Sequence, residues 1–151
     1  VPEPYIPEAV AIVPGTDGQK MSKSYGNTIE LSATPKQIKT AIMSIVTDST
    51  PMESPKDPET CNVYKLYQLV ADPAQVEEMA AKLRAGGYGY GDAKKALLAA
   101  FNARFADFRE RRAALEADPA GVERILQAGA ERARAEARRI LKAARKAVGL
   151  E

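Results

Sequence analysis

From residue 34 onward the apolar positions recur at helical spacing; before it they do not. Thr34-Pro35 has the form of an N-cap followed by a first-turn proline. Ile38, Ile42, Ile45 and Val46 then share one face and predict a helix. Residues 47–58 are polar, with Pro51, Pro55 and Pro58, and predict a loop. Val63, Leu66, Tyr67 and Val70 form the next amphipathic stripe. Asp72-Pro73 repeats the cap-plus-proline device and opens a third helix. Its apolar face is Val76, Met79, Ala80 and Leu83, and Gly86-Gly87 is its stop. Asp92 is placed to cap a long helix over about 93–117. The stripe of that helix, Leu97, Phe101, Phe105, Phe108 and Leu115, is the strongest core pattern in the chain. Asp118-Pro119 opens another helix carrying Val122, Ile125 and Leu126, with Gly129 as a candidate break. The last helix runs to about Val148, with Ala133, Ala137, Ile140, Leu141, Ala144 and Val148 expected to face inward.

The first 33 residues read differently. Ala9-Val10-Ala11-Ile12-Val13 is a short β-prone run, long enough for one buried strand, and Pro14-Gly15-Thr16-Asp17-Gly18 ends it as a turn. One strand makes no sheet, so its partner is expected outside this chain. The predicted fold is therefore mainly α: a bundle of about six short-looped helices, preceded by a strand and a loop.

Composition narrows the class. Hydrophobic residues at 45% and charged residues at 28% fit a folded globular chain rather than a disordered one. No apolar run approaches the roughly 20 residues of a membrane-spanning helix. Val1 to Pro7 carries three prolines and no basic cluster, so it is no secretory signal. The single cysteine, Cys61, forbids an intrachain disulfide and is compatible with a cytoplasmic location. It has no neighbour to lower its thiol pKa and reads as structural. Histidine is absent, which excludes a Ser-His-Asp triad, a His base or a His-metal site within the chain. An opening on Val1-Pro2-Glu3-Pro4, without methionine, is what a piece of a longer protein is expected to show.

Charge is unevenly placed. Residues 1–47 hold four basic and four acidic groups, residues 48–85 four and seven, and residues 86–151 fourteen and nine. The basic end suits a phosphate-backbone partner. Arg109, Arg111 and Arg112 on one helix, and Arg138, Arg139, Lys142, Arg145 and Lys146 on the last, are the candidate contacts. The Phe101, Phe105 and Phe108 stripe is assigned to the core rather than to base stacking. Gly87-Tyr88-Gly89-Tyr90-Gly91-Asp92 is not a dinucleotide fingerprint: Asp92 stands where the third glycine belongs and no strand precedes it. It reads as a packed turn between helices.

Lys20-Met21-Ser22-Lys23-Ser24 is the stretch that carries chemistry. Two lysines three apart, among hydroxyls, follow a turn that holds Gly15 and Gly18, with Gly26 beyond. Lysine is a compact cation suited to a charge-dense polyphosphate. Serine hydroxyls and backbone N–H groups add donors to phosphate oxygens. The glycines let such a loop change shape as a nucleotide arrives.

All five of these residues match the KMSKS motif of class I aminoacyl-tRNA synthetases. The context, Pro14-Gly15-Thr16-Asp17-Gly18-Gln19 before it and Tyr25-Gly26-Asn27-Thr28-Ile29 after it, resembles the bacterial tryptophanyl-tRNA synthetases. Ile45-Val46-Thr47-Asp48-Ser49, Gly87-Tyr88-Gly89, Gly129-Ala130-Glu131-Arg132-Ala133 and the closing Ala147-Val148-Gly149-Leu150 resemble further segments of that family. Tyrosyl-tRNA synthetases share the lysine loop, but the downstream segments are tryptophanyl-like.

The resemblance implies activation of tryptophan with ATP to tryptophanyl-AMP and its transfer to tRNA(Trp). Lys20 and Lys23 would stabilise charge on the departing pyrophosphate. Met21, Ser22 and Ser24 would shape the ATP-binding loop, and the backbone near Ala11 and Ile12 would flank the adenine. Mg²⁺ is implied by the ATP chemistry, with no metal ligand assigned to the chain. The intact enzyme is expected to be a cytoplasmic homodimer. Residues 1–33 would be the C-terminal edge of a Rossmann-type catalytic domain, and residues 34–151 the helical anticodon-binding domain. The family's HIGH-like motif needs histidine, which this chain lacks, so the chain alone is expected to be inactive. The competing expectation is a stand-alone helical RNA-binding module with a non-catalytic lysine loop.

Overall fold

The computed structural model of the chain describes residues 2–6 and 11–150. Among the described residues six α-helices follow in order: α1 Pro35–Met43, α2 Asn62–Tyr67, α3 Pro73–Ala85, α4 Tyr90–Arg104, α5 Ala106–Ala117 and α6 Pro119–Ala147. Short 3₁₀ turns cover Lys23–Tyr25 and Pro58–Thr60. No described helix is long and apolar enough to cross a membrane.

Three helix starts follow the cap-plus-proline signals. Thr34 caps α1, and the Gln37 side chain accepts the Thr34 N–H at 2.9 Å to complete a capping box. Asp72 precedes Pro73, and its N–H donates to the Gln75 carboxamide at 3.2 Å. Asp118 precedes Pro119 and accepts the Gly121 N–H at 2.8 Å. Such caps answer N–H groups that the first turn leaves without partners.

The chain forms two compact units, residues 1–107 and 108–151. The first holds the core. Ile38 and Ile42 of α1 pack with Ile45, with Val63, Tyr64, Leu66 and Tyr67 of α2, with Met79, Ala80 and Leu83 of α3, and with Ala93, Leu97 and Phe101 of α4. Each fully buried Ile, Leu or Val contributes about 1.5–3 kcal/mol relative to exposure. Ile29 joins the same cluster, so the segment after the lysine loop is packed onto the helices. This compactness boundary lies far beyond residue 34. A functional boundary at residue 34 is a separate proposition.

Several expectations change. Ala9 and Val10 of the predicted strand lie outside the described residues. Ala11 and Ile12 are exposed and non-extended, and the only pairing in that region among the described residues is an antiparallel bridge between Pro14 and Lys20. Among the described residues there is no partner strand for a longer ladder. Asp92 lies in the first turn of α4 and pairs with Lys95 at 3.0 Å, while Gly89 is the N-cap. The predicted long helix is two helices. Phe105 leaves helical geometry (φ −109°, ψ 16°) and sets its ring 4.9 Å from that of Phe101. Gly129 breaks nothing, since one glycine costs about 1 kcal/mol against a helix of 29 residues.

In the second unit no described residue is buried. Phe108 and Leu115 are exposed rather than core, and so are Ile125, Leu126, Ile140, Leu141 and Val148. The pattern for an apolar face is there; a surface that covers it is not present among the described residues of that unit.

Candidate functional site

The lysine loop is a closed, cross-braced turn. Gly18 N–H donates to the Gly15 carbonyl at 3.0 Å, Gly15 N–H to the Gln19 carbonyl at 2.6 Å, and Met21 N–H to the Val13 carbonyl at 2.8 Å. Together with the Pro14–Lys20 bridge these bonds close residues 13–21 into a hairpin-like loop. Ser22 then caps the 3₁₀ turn: its Oγ accepts the Ser24 N–H at 3.2 Å. Gly26 ends that turn at φ +66°, in the left-handed region that a side chain disfavours.

At the centre of the loop sits Asn27, only 2% exposed. Its Oδ1 accepts the Ser22 N–H at 2.7 Å. Its Nδ2 donates to Asp17 Oδ1 at 2.8 Å and to the Lys20 carbonyl at 3.2 Å. Its own carbonyl accepts the Thr16 N–H at 2.9 Å. Gly15 lies against the carboxamide so closely that a Cβ there would collide with it. The Asn27 carboxamide, and next to it the Gln19 N–H, hold the Asp17 carboxyl below the usual carboxylate range.

The loop is also tied to the helical body. The Thr16 carbonyl accepts the Val46 N–H at 2.8 Å, and the Val46 carbonyl accepts Asn62 Nδ2 at 3.1 Å, from the first residue of α2. Lys20, Lys23 and Ser24 are exposed; Met21 and Ser22 are half-buried. Among the described residues neither lysine ammonium has an ion-pair partner. Two unneutralised cations on a braced loop, beside serine hydroxyls, can receive a polyphosphate. Among the described residues no group of three or more His, Cys, Asp or Glu side chains is gathered to hold a metal ion.

The nucleic-acid candidates divide between two helices. Arg109 is half-buried on α5, and Arg111 and Arg112 are exposed there, Arg112 pairing with Glu116 at 2.8 Å. Arg111 and Arg112 line a groove of about 630 Å³ together with Phe108, Leu115 and Val122. Arg138, Arg139, Lys142, Arg145 and Lys146 are exposed on α6, with Arg139 bound to Glu136. At 3.6 residues per turn these five fall within about one third of the circumference. Ala137, Ile140, Leu141 and Ala144 lie on the opposite side of the helix. The structure thus groups the α6 residues into one stripe.

Two features escaped the sequence reading. Asn27 stands within the segment that carries the family resemblance, and no local pattern marks it as a hub. Lys56, in the polar loop, is 5% exposed, and its ammonium donates to the carbonyls of Pro51, Met52 and Ser54 at 2.8–3.0 Å. It also lies 5.5 Å from the centre of the Tyr90 ring. Tyr90 donates to Asp48 Oδ1 at 2.8 Å, and burial, then the Asp48 carboxylate, push its phenol up to about 12. Cys61 is buried at the start of α2 and its thiol is pushed up by that burial, as a structural cysteine requires.

The lysine loop is packed onto a small helical bundle, and residues 1–106 match the family described as tRNA synthetases class I (W and Y). The chain belongs to that family. Its relatives include the tryptophan–tRNA ligase of Rhodopirellula baltica, 54% identical over 140 residues, 93% of this chain and 44% of that protein. The tryptophan–tRNA ligase of Fusobacterium nucleatum is 47% identical over 150 residues, 99% of this chain and 46% of that protein. Among solved structures, tryptophanyl-tRNA synthetase from Campylobacter jejuni, complexed with ADP and tryptophan, aligns with a TM-score of 0.89 at 41% identity. That match covers 96% of this chain and 46% of that one. The chain spans about half the length of the curated relatives it matches, and the half it matches is their C-terminal portion.

Proposed function

We propose that the chain is the part of a tryptophan–tRNA ligase that supplies the lysine loop and the tRNA-binding helices. In this reading the tryptophan carboxylate attacks the α-phosphorus of ATP. The bond to the bridging oxygen of the β-phosphate breaks, and pyrophosphate leaves. Lys20 and Lys23 stand where that negative charge grows. They act by electrostatic preorganisation, each contributing about 3–4 kcal/mol to the transition state. Met21, Ser22 and Ser24 shape the loop, the hydroxyls offering donors to phosphate oxygens, and the backbone at Ala11 and Ile12 flanks the adenine. A hydroxyl of tRNA(Trp) then takes the tryptophanyl group and AMP leaves. Arg109, Arg111, Arg112, Arg138, Arg139, Lys142, Arg145 and Lys146 hold the tRNA through phosphate contacts and counterion release.

The observation that carries the reading is the loop itself: two exposed lysines without ion-pair partners among the described residues, on a turn whose backbone is fixed by a buried carboxamide. Residues 1–33 would then be the edge of the catalytic domain and residues 34–151 the tRNA-binding body. Mg²⁺ would be a companion of ATP that offsets phosphate charge, and no residue of this chain is assigned to hold it. The reading carries with it a cytoplasmic homodimer whose tryptophan pocket lies in the part this chain does not span.

The test is reconstitution. This chain replaces the matching portion of the Rhodopirellula baltica relative, and tryptophan-dependent ATP–pyrophosphate exchange is measured. The chimera should exchange, and the 151-residue chain alone should not. Exchange by the isolated chain, or none by a folded chimera, contradicts the proposal.

A further inference from the structure

We propose that Asn27 is a positioning residue for the two lysines, an inference that rests on the function proposed above. The carboxamide grips the lysine segment on both sides of Met21. Oδ1 takes the Ser22 N–H at 2.7 Å, and Nδ2 reaches the Lys20 carbonyl at 3.2 Å. The first bond holds the peptide that enters Ser22, the residue before Lys23, and the second holds the peptide that leaves Lys20, so one side chain fixes the backbone between the two lysines.

The orientation of the carboxamide is itself fixed. Nδ2 also donates to Asp17 Oδ1, which in turn accepts the Gln19 N–H at 3.0 Å. A flipped amide would turn its oxygen toward a carboxylate and a carbonyl, and its NH₂ toward the Ser22 N–H. Burial to 2% leaves no water to repair such a mismatch. The Asn27 carbonyl holds Thr16, whose carbonyl holds Val46. The loop geometry is thereby referred to the helical body rather than left to the loop. Asn27 touches no reacting atom in this scheme and acts only through the backbone of residues 20–22.

The arrangement makes a prediction specific to hydrogen-bond polarity. Asn27→Asp keeps the shape and an acceptor for Ser22, but sets carboxylate oxygen against Asp17 and the Lys20 carbonyl. Adding Asp17→Asn restores a donor between positions 17 and 27. Exchange is measured in the chimera, per titrated active site, for the parent, Asn27→Ala, Asn27→Asp, the Asn27→Asp/Asp17→Asn double variant, and Lys20→Ala with Lys23→Ala.

Asn27→Ala and Asn27→Asp should lower kcat by about 10–100-fold, the scale of an ångström-level misplacement. KM for tryptophan should stay within about twofold. The double variant should recover part of the Asn27→Asp loss, the part owed to position 17, and in the 151-residue chain the Ser22 amide should lose its exchange protection in Asn27→Ala.

Parental kcat per active site in Asn27→Ala overturns the inference, as does a double variant no better than Asn27→Asp. If the Asn27 variants are silent while the lysine variants are slow, the inference falls and the proposed function stands. If the lysine variants are also silent, or the chimera has no activity, the proposed function falls and the inference with it.

Discussion

Residues 1–107 and 108–151 use the same helical alphabet and are held in different ways. In the first unit apolar stripes on four helices meet, and Ile38, Ile42, Val63, Leu83, Ala93 and Leu97 are closed off from solvent. In the second, α6 carries an equally clear stripe, yet Ile140 is 53% exposed and Leu141 49%. Periodicity states that a face needs cover; it does not state that the same unit supplies it. The second unit differs in charge as well: a basic stripe runs along α6 opposite the apolar one.

The contrast can be broken by substitution, read as unfolding free energy by urea denaturation. Ile42→Ala, which empties a closed site, should cost about 2–5 kcal/mol. If it costs less than 1 kcal/mol, the first unit is not the packed body described.

Lys56→Met should come next, at about 1.5–3 kcal/mol, because it strands carbonyls that a charged donor now satisfies. A neutral outcome would mean that the ammonium cage is not formed in solution.

A pH window follows from Tyr90. Its phenol is raised to about 12 by burial and by the Asp48 carboxylate. An unfolded tyrosine ionises near 10, so its contribution to stability is complete below about 10 and lost as pH rises toward 12. Tyr67 and Tyr88 are raised in the same direction by burial. With no tryptophan in the chain, phenolate absorbance reports the titration directly. Tyr90→Phe should remove the component titrating near 12 and leave the rest; loss of a component titrating near 10 instead would contradict the Asp48 contact.

The smallest effect belongs to the second unit. Ile140→Ala should lie within about 0.5 kcal/mol in the 151-residue chain. A loss matching that of Ile42→Ala would show that the α6 face is covered after all.

What could be read from the sequence was local. Thr34-Pro35, Asp72-Pro73 and Asp118-Pro119 each carry their own capping chemistry, and each begins a helix where expected. The five residues of the lysine loop are contiguous and were legible as a unit. What was missed depends on distant partners. Phe105 leaves the helix while its ring packs beside Phe101, and no Gly or Pro marks the break. Asp92 looked like a cap, but Gly89 already stands in an extended conformation three residues earlier. Lys56 reads as a loop charge until three carbonyls converge on it. Asn27 is ten residues from Asp17 and five from Ser22, and only the folded turn brings the three together.

In the proposed function Lys20 and Lys23 serve chemistry rather than tRNA affinity. The direct measurement is single-turnover formation of tryptophanyl-AMP by the chimera, with tRNA binding assayed on the same variants. Lys20→Ala and Lys23→Ala should each slow adenylate formation by about 10²–10³-fold while tRNA affinity stays within about twofold. Adenylate formation at the parental rate, with any loss confined to tRNA binding, would contradict it.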